Sequence, residues 1–431
     1  MSENTSRDSF DFIPHDTLFV RDQRPMLAGA SFGHGANLPL PTHLHSALRT
    51  HLLSQISSPL PEAQKSGFKR NGKEKGSFSS EAFNWMNLQG PFPVHTDSKK
   101  GEEVYFPTPL DIQVKEEDNE RSQVTYHPMK LKKRVGKSDL NSFLTHYVCA
   151  SVKPTKIRIE PWMSSEQFQC YLKGDPLKQE KISSLYQTEY RMGIEINHES
   201  NTVVEGKLYG AEHLRLNRDW KMRFSISKPQ SKHENRPDED PQVIASMAGQ
   251  SLRLGGESRT ISVEEASSSL KIPSVEVSSL IVKWILLTPA IFMGGWRPGW
   301  IDDNGNVKLK NKNHKDFDRR AYRRDRREGG ELFQNNKDQG ESINGRLIAA
   351  RVEKPIVMGG WELVSNKADG KPGPKATQLA VPAGSVYYFQ MESAEEVQKL
   401  VKALNHRCRS DFYGEKGLGL GVCGNYEGEG L

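Results

Sequence analysis

Three segments in mid-chain, YRMGIEIN (190–197), TVVEGKLYGAEHLRL (202–216) and WKMRFSIS (220–227), follow one another with no helical pattern between them. Their β-branched and aromatic residues, with turn residues between, read as three or four successive strands. A parallel sheet needs a long crossover between strands, so this order predicts antiparallel pairing. The second half repeats the character. IVKWILLTPAIFMGGW (281–296) reads as a buried strand ending in a glycine turn, and GRLIAARV, PIVMGGWELV and GSVYYFQM read as further strands. Helices are few. THLHSALRTHLLSQI places Leu44, Ala47, Leu48, Leu52 and Ile56 on one face, with Thr42 as its expected cap. SSEQFQCYL opens with a Ser164–Gln167 capping box. SAEEVQKLVKALNHR has a Ser393–Glu396 box and an apolar face of Val397, Leu400, Val401 and Leu404. No regular strand–helix alternation runs through either half, so the fold class is α+β. The expected architecture is two ferredoxin-like (split βαβ) domains with long loop insertions.

At 431 residues the chain is long enough for two domains. The polar stretch SKPQSKHENRPDEDPQ separates residues 1–230 from 231–431. Residues 57–142 are rich in Lys, Glu, Ser and Gly and read as an insertion. A second insertion spans about 303–342. The net charge of +6 is uneven: Lys308 to Arg327 holds ten Lys/Arg against three Asp, a local +7, leaving about −1 elsewhere (6 minus 7). Such concentration fits contact with a polyanion, or else a solvated basic loop. If that segment is helical, Arg320, Arg323, Arg324 and Arg327 share a face. No apolar run reaches the ~18 residues of a membrane span, and the polar start MSENTSRDSF predicts no signal peptide. Cys149, Cys170, Cys408 and Cys423 form no C-x-x-C pair, so neither a zinc ribbon nor a disulfide framework is expected, and a reducing cytoplasm is the simplest setting.

Two stretches imitate nucleotide motifs. Gly67 to Lys73 spells G-x-x-x-x-G-K, but Glu74 stands where a P-loop needs Ser or Thr for magnesium. Gly419-x-Gly421-x-x-Gly424 spells the dinucleotide fingerprint, but NYEGEGL follows where a helix must start to hold the pyrophosphate. No nucleotide cofactor is expected, and no metal site. The glycines serve either an anion-binding nest beside Lys416 or a strand bent tightly against a neighbour.

The glycine segment has company. PHDTLFVRDQRPM, GHGANLPLPTHLHSALRTHLL, YRMGIEIN, VVEGKLYGAEHLRL, LRLGGESR, LLTPAIFMGGWRPGW, GRLIAARVEKPIVMGGWEL, AVPAGSVYYF and GEKGLGLGVCG occur in this order along the chain. The set resembles the handle-binding RAMP subunit of the type III-B CRISPR (Cmr) interference complex. The gaps in the resemblance fall at 57–142 and 303–342. The resemblance implies two RRM-like, ferredoxin-fold RAMP domains. It implies a cytoplasmic, non-catalytic subunit that grips the 5′ handle of the guide RNA. Its implied partners are the large polymerase-like signalling subunit and the backbone RAMP subunits, with target RNA met only indirectly. It also makes the segment holding Gly414, Gly417, Gly419, Gly421 and Gly424 a signature loop near the guide.

RNA capture needs cations for phosphates and flat surfaces for bases. The candidates are Arg21 and Arg24 after the first strand, Arg49 on the first helix near His45, and Arg253 and Arg259 around Gly255 and Gly256. Trp296 and Arg297 follow a Gly-Gly pair, and Lys416 precedes the Gly417, Gly419 and Gly421 loop. Gly-Gly-Trp recurs at Trp361. Each tryptophan stacks on a base, serves as a hot spot for a protein partner or caps the core, and Arg21 binds RNA or pairs with Asp22 or Asp16. Related RAMP proteins include guide-processing ribonucleases that use histidine. His34, His43, His45 and His51 cluster, but no partner base or nucleophile is evident. A purely structural scaffold is the other alternative.

Overall fold

A computed structural model describes residues 7–20, 32–33, 38–55, 68–70, 73–75, 83, 86–116, 124–136, 139–178, 182–227, 244–309, 343–362, 373–374 and 376–428. Its main elements are, in chain order, β1 (Arg7–Pro14), α1 (Pro41–Gln55), β2 (Leu88–Asp97), β3 (Gly101–Pro107), β4 (Trp162–Ser164) and α2 (Ser165–Lys173). Then come β5 (Tyr186–Ile196), β6 (Val203–Leu216), β7 (Trp220–Ser227), β8 (Gln250–Arg253), β9 (Thr260–Glu265) and β10 (Ile281–Leu286). Last are β11 (Gly345–Arg351), β12 (Val386–Met391), α3 (Ala394–Leu404), β13 (Arg407–Cys408) and β14 (Leu420–Asn425).

The first sheet has the order β4-β3-β2-β7-β1-β9-β8, and every neighbouring pair is antiparallel. Alternation along β7 explains its two faces. Met222, Phe224 and Ile226 turn toward Leu44, Leu48 and Leu52 of α1, with Phe10 and Phe12 of β1 in the same core. Arg223 is on the opposite face, fully buried, and its guanidinium donates to both Asp11 carboxylate oxygens at 2.7 and 2.8 Å. Two parallel N–H···O bonds satisfy a charge that would otherwise be costly to bury.

The second sheet has the order β11-β12-β10-β14-β13, again antiparallel throughout. On one face α3 packs Val397, Leu400 and Leu404 against Val282, Trp284 and Tyr387. Ser393 caps α3 by accepting the Glu396 N–H at 3.3 Å. The other face of the sheet meets the first half of the chain. Ile285, Val386, Tyr388 and Val422 share a core with Phe92 and Phe106, and with Phe168, Tyr171 and Leu172 of α2. Asp111 ties this seam, accepting the Tyr171 hydroxyl at 2.7 Å and the Tyr388 hydroxyl at 2.6 Å. The Lys283 ammonium lies 3.8 Å from the Tyr171 ring centroid, and burial lowers its pKa.

Several expectations change. The first sheet runs past the predicted division at residue 230, because β9 pairs onto β1 and β8 onto β9. Residues 57–142 are not one insertion: β2 and β3 lie inside that range as sheet strands. Pro91 and Pro93 hid β2. They are tolerated because β3 pairs only from Val94 onward, so that side asks no N–H of them. Helix α1 starts at Pro41, not after a Thr42 cap, with proline in the first turn where its missing N–H costs nothing. Ser164 caps α2 as expected, through the Gln167 N–H. Ile56, the Gly67–Lys73 motif apart from two short backbone strands, and the arginines at 320–327 lie outside the described residues. Among the described residues no helix is long and apolar enough to cross a membrane.

Candidate nucleic-acid interface

The predicted glycine loop lies at the junction of the two sheets. Residues Gly414–Lys416 make a single tight turn, and Gly417 follows at φ +92°. A Cβ on Gly417 would stand 3.0 Å from both the Leu88 carbonyl oxygen and Pro41 Cβ. The loop therefore presses on the start of α1 and of β2, which only a residue without a side chain can do at that φ. Thr288 fixes it: its hydroxyl donates to the Gly417 carbonyl at 2.7 Å and accepts the Leu420 N–H at 2.9 Å.

The remaining loop glycines point into the protein. Gly419, at φ +74°, lies so close to Ser410 that a Cβ would overlap its backbone nitrogen. A Cβ on Gly421 would overlap the Trp284 indole, and one on Gly424 would sit 2.9 Å from Leu172 Cδ2. Of the two uses expected for these glycines, Gly419, Gly421 and Gly424 serve close packing. The segment continues as the antiparallel strand β14, not as the helix a dinucleotide turn requires.

Cations gather where the loop meets α1. Lys416 is half-buried, with its ammonium 4.8 Å from the Tyr413 ring centroid. Arg49 lies on the flank of α1, and burial lowers its pKa. His45, one turn before Arg49, is buried. Desolvation first, then the positive charges of Lys416 and Arg49, pull its pKa down to about 3. His43 accepts the Leu40 N–H on Nδ1 at 3.2 Å, and burial pulls its pKa to about 4. Both histidines are uncharged at neutral pH. The structure thus brings Arg49, Lys416 and Gly417 together, with Gly419 and Gly421 buttressing them.

The other predicted residues fall elsewhere. Gly255 and Gly256 tuck under Phe19: the Gly256 N–H donates to the Phe19 carbonyl at 2.7 Å, and a Cβ on Gly256 would meet the Phe19 ring at 2.8 Å. Arg253 is exposed on the edge strand β8. Arg259 is bound to Asp16 at 3.1 Å and to Glu257 at 3.5 Å, so its charge is already matched. Arg297 donates to Asp303 at 2.7 Å and to the Asp302 carbonyl at 2.9 Å. Trp296 stacks on Phe143 with centroids 6.2 Å apart and packs against the core, the core-capping alternative. Arg21, Arg24, His34 and the Trp361 side chain lie outside the described residues.

One surface was missed. Tyr190, Met192, Ile194 and Ile196 of β5 are all exposed, Met192 at 70%, as are Val203 and Leu208 of β6. Ile194 pairs directly with Leu208, and Ile196 with Val203. They form one apolar stripe on a long hairpin, whose β6 also pairs in parallel at Gly210 and Ala211 with Phe32 and Gly33. The signal was the alternation itself, which ordinarily marks a half-buried strand. A stripe of this kind on a surface marks a contact site.

The family model for CRISPR-associated protein (Cas_Cmr3) matches residues 10–425. Comparison with curated protein sequences gave no match. A chain of a structure described as type III-B Cmr-beta bound to cognate target RNA and AMPPnP, state 1, is 14% identical, with a TM-score of 0.38, covering 88% of this chain and 86% of that one. A chain of a Csm3-Csm4 subcomplex in the type III-A CRISPR-Cas interference complex is 12% identical, with a TM-score of 0.30, covering 88% and 92%. The match over 10–425 decides the question: this chain belongs to the CRISPR-associated Cmr3 family.

Proposed function

We propose that the chain is the non-catalytic subunit that holds the 5′ handle of the guide RNA in a type III-B Cmr complex, and that it bridges the large signalling subunit to the backbone subunits. The observation that carries this reading is the junction itself. Lys416 and Arg49 converge beside a positive-φ glycine turn clamped between the two sheets. Cations next to a tightly turned backbone suit phosphates of a single strand. Membership in the Cmr3 family supports a place among the other subunits of such a complex. The topology supports two ferredoxin-like units. Within the first sheet the run β9-β1-β7-β2 places β7 between β1 and β2, the two strands joined through α1. Within the second, the run β14-β10-β12-β11 places β12 between β10 and β11, with α3 connecting toward β14. Both are split βαβ orders.

The non-catalytic reading draws on the histidines. A general acid or base works best with a pKa near the operating pH. His43 at about 4 and His45 at about 3 are far from it. The exposed β5–β6 stripe is the surface offered to a neighbouring subunit, and the working compartment is the cytoplasm. Lys416→Ala and Arg49→Ala test the site in the assembled complex. Each should lower the dependence of log K for guide binding on log salt by about one. Unchanged slopes in both variants would remove the site.

A further inference from the structure

Where the β5–β6 hairpin leaves the first sheet, charged side chains from three separate segments meet. Asp16, just past β1, accepts from Arg191 at 3.1 Å, Arg215 at 2.6 Å and Arg259 at 3.1 Å. Glu189 binds Arg191 at 3.1 Å and also Arg215. Glu257, in the β8–β9 turn, lies 3.5 Å from Arg259 and 3.3 Å from Nε2 of His213. His213 is fully buried on β6, stacked on Phe19 at 4.9 Å, with Nδ1 3.2 Å from the Thr17 hydroxyl. Arg191, Arg215 and Arg259 are balanced by Asp16, Glu189 and Glu257, so the network is closed and leaves no net charge for an anion.

The network stands at a mechanical weak point. Beyond a two-residue parallel pairing of Gly210 and Ala211 with Phe32 and Gly33, the hairpin is a two-stranded ribbon, which has little stability of its own. Here it projects with an apolar stripe in water. At its base Leu18 and Leu214 exchange two backbone hydrogen bonds, at 2.7 and 2.8 Å. Glu189, Arg191, His213 and Arg215 share the face of the ribbon opposite the stripe, as the register Glu189↔His213 requires. One carboxylate therefore touches both strands of the hairpin and the β8–β9 turn at once.

We propose that Asp16 is a positioning residue whose three arginine contacts fix the direction in which the β5–β6 hairpin leaves the body of the protein. Arg215 and then Arg191 hold the Asp16 pKa down to about 2, so the hub stays charged throughout the physiological range. Asp16, Arg191 and Arg215 are each more than a third exposed, so salt screens their contacts. Hairpin direction consequently becomes sensitive to ionic strength. The clamp belongs to the chain alone; only its consequence for assembly rests on the reading of the stripe as a subunit contact.

Hydrogen exchange by mass spectrometry on the full chain tests it, comparing wild type with Asp16→Asn and Arg191→Gln. Peptides spanning Leu18 and Leu214 should exchange roughly tenfold faster in Asp16→Asn, less so in Arg191→Gln, while β7 peptides stay unchanged. Wild-type exchange at the base should rise with salt, and the Asp16→Asn rate should be nearly flat. Wild-type exchange in both variants, with no salt response in any of the three proteins, would overturn the clamp. If Asp16→Asn does not fold, Arg191→Gln carries the test, since it removes one spoke and keeps the hub. Assembly into the complex, read in parallel, separates the two ideas. A loosened base with normal assembly keeps the clamp and removes the stripe's subunit contact. An unchanged base removes the clamp whatever assembly does.

Discussion

Among single residues, the glycines of the final loop divide by what surrounds them. Gly417 faces across the junction, whereas Gly421 lies over the Trp284 indole in the middle of the second sheet. Valine at Gly421 would thus strike the core rather than spare it. Gly421→Val should lower stability by roughly 2–5 kcal/mol, seen as a drop in melting temperature with any guide defect following from it. A variant melting with the wild type would show that the strand can move away from Trp284. The buried histidines give a second expectation. The folded pKa values of His43 and His45 lie below the unfolded value of ~6.5. The unfolded chain therefore binds more protons below that pH, and stability present above ~6.5 is lost as pH falls toward 4. Each histidine adds at most about 1.4 kcal/mol per pH unit to that loss. Urea denaturation between pH 7 and about 5 measures it. His45→Gln should flatten the slope, and an unchanged slope would mean that His45 titrates normally.

Elements show how far the sequence could be read. Helices α2 and α3 were legible because a capping serine and an amphipathic run are local signals, and both caps form. β10 was legible because five of its six residues are apolar, with Lys283 the exception, and it is buried throughout. β2 was not, since its proline tolerance depends on where β3 stops pairing, a fact about a neighbour. The packing of α2 was equally hidden: it belongs in sequence to the first half, yet its Leu172 is fully buried against the second sheet. That placement makes α2 the rivet between halves. Leu172→Ala should cost about 2–5 kcal/mol and loosen exchange in β14, although residue 172 is remote from β14 in sequence. A loss confined to α2 would contradict the shared core. The candidate site was half legible. Lys416 and Arg49 could be proposed as cations, but their meeting needed the junction, and Arg259 and Arg297 were drawn into ion pairs that sequence spacing does not reveal.

For the whole molecule, the two sheets are joined by one continuous aromatic and aliphatic seam, pinned by Asp111, and the glycine loop closes over its edge. Guide RNA held at that edge would touch both halves at once. The proposed function has RNA presented through this junction, while a hairpin whose apolar face is in water reaches outward. The most direct test places a photoreactive base in the 5′ handle of the guide, within the assembled Cmr complex, and maps the crosslinked peptides. Crosslinks should fall on the turn around Tyr413–Gly417 or on α1 near Arg49. A handle that crosslinks efficiently to the other subunits and never to this chain would contradict the account and leave the protein a scaffold.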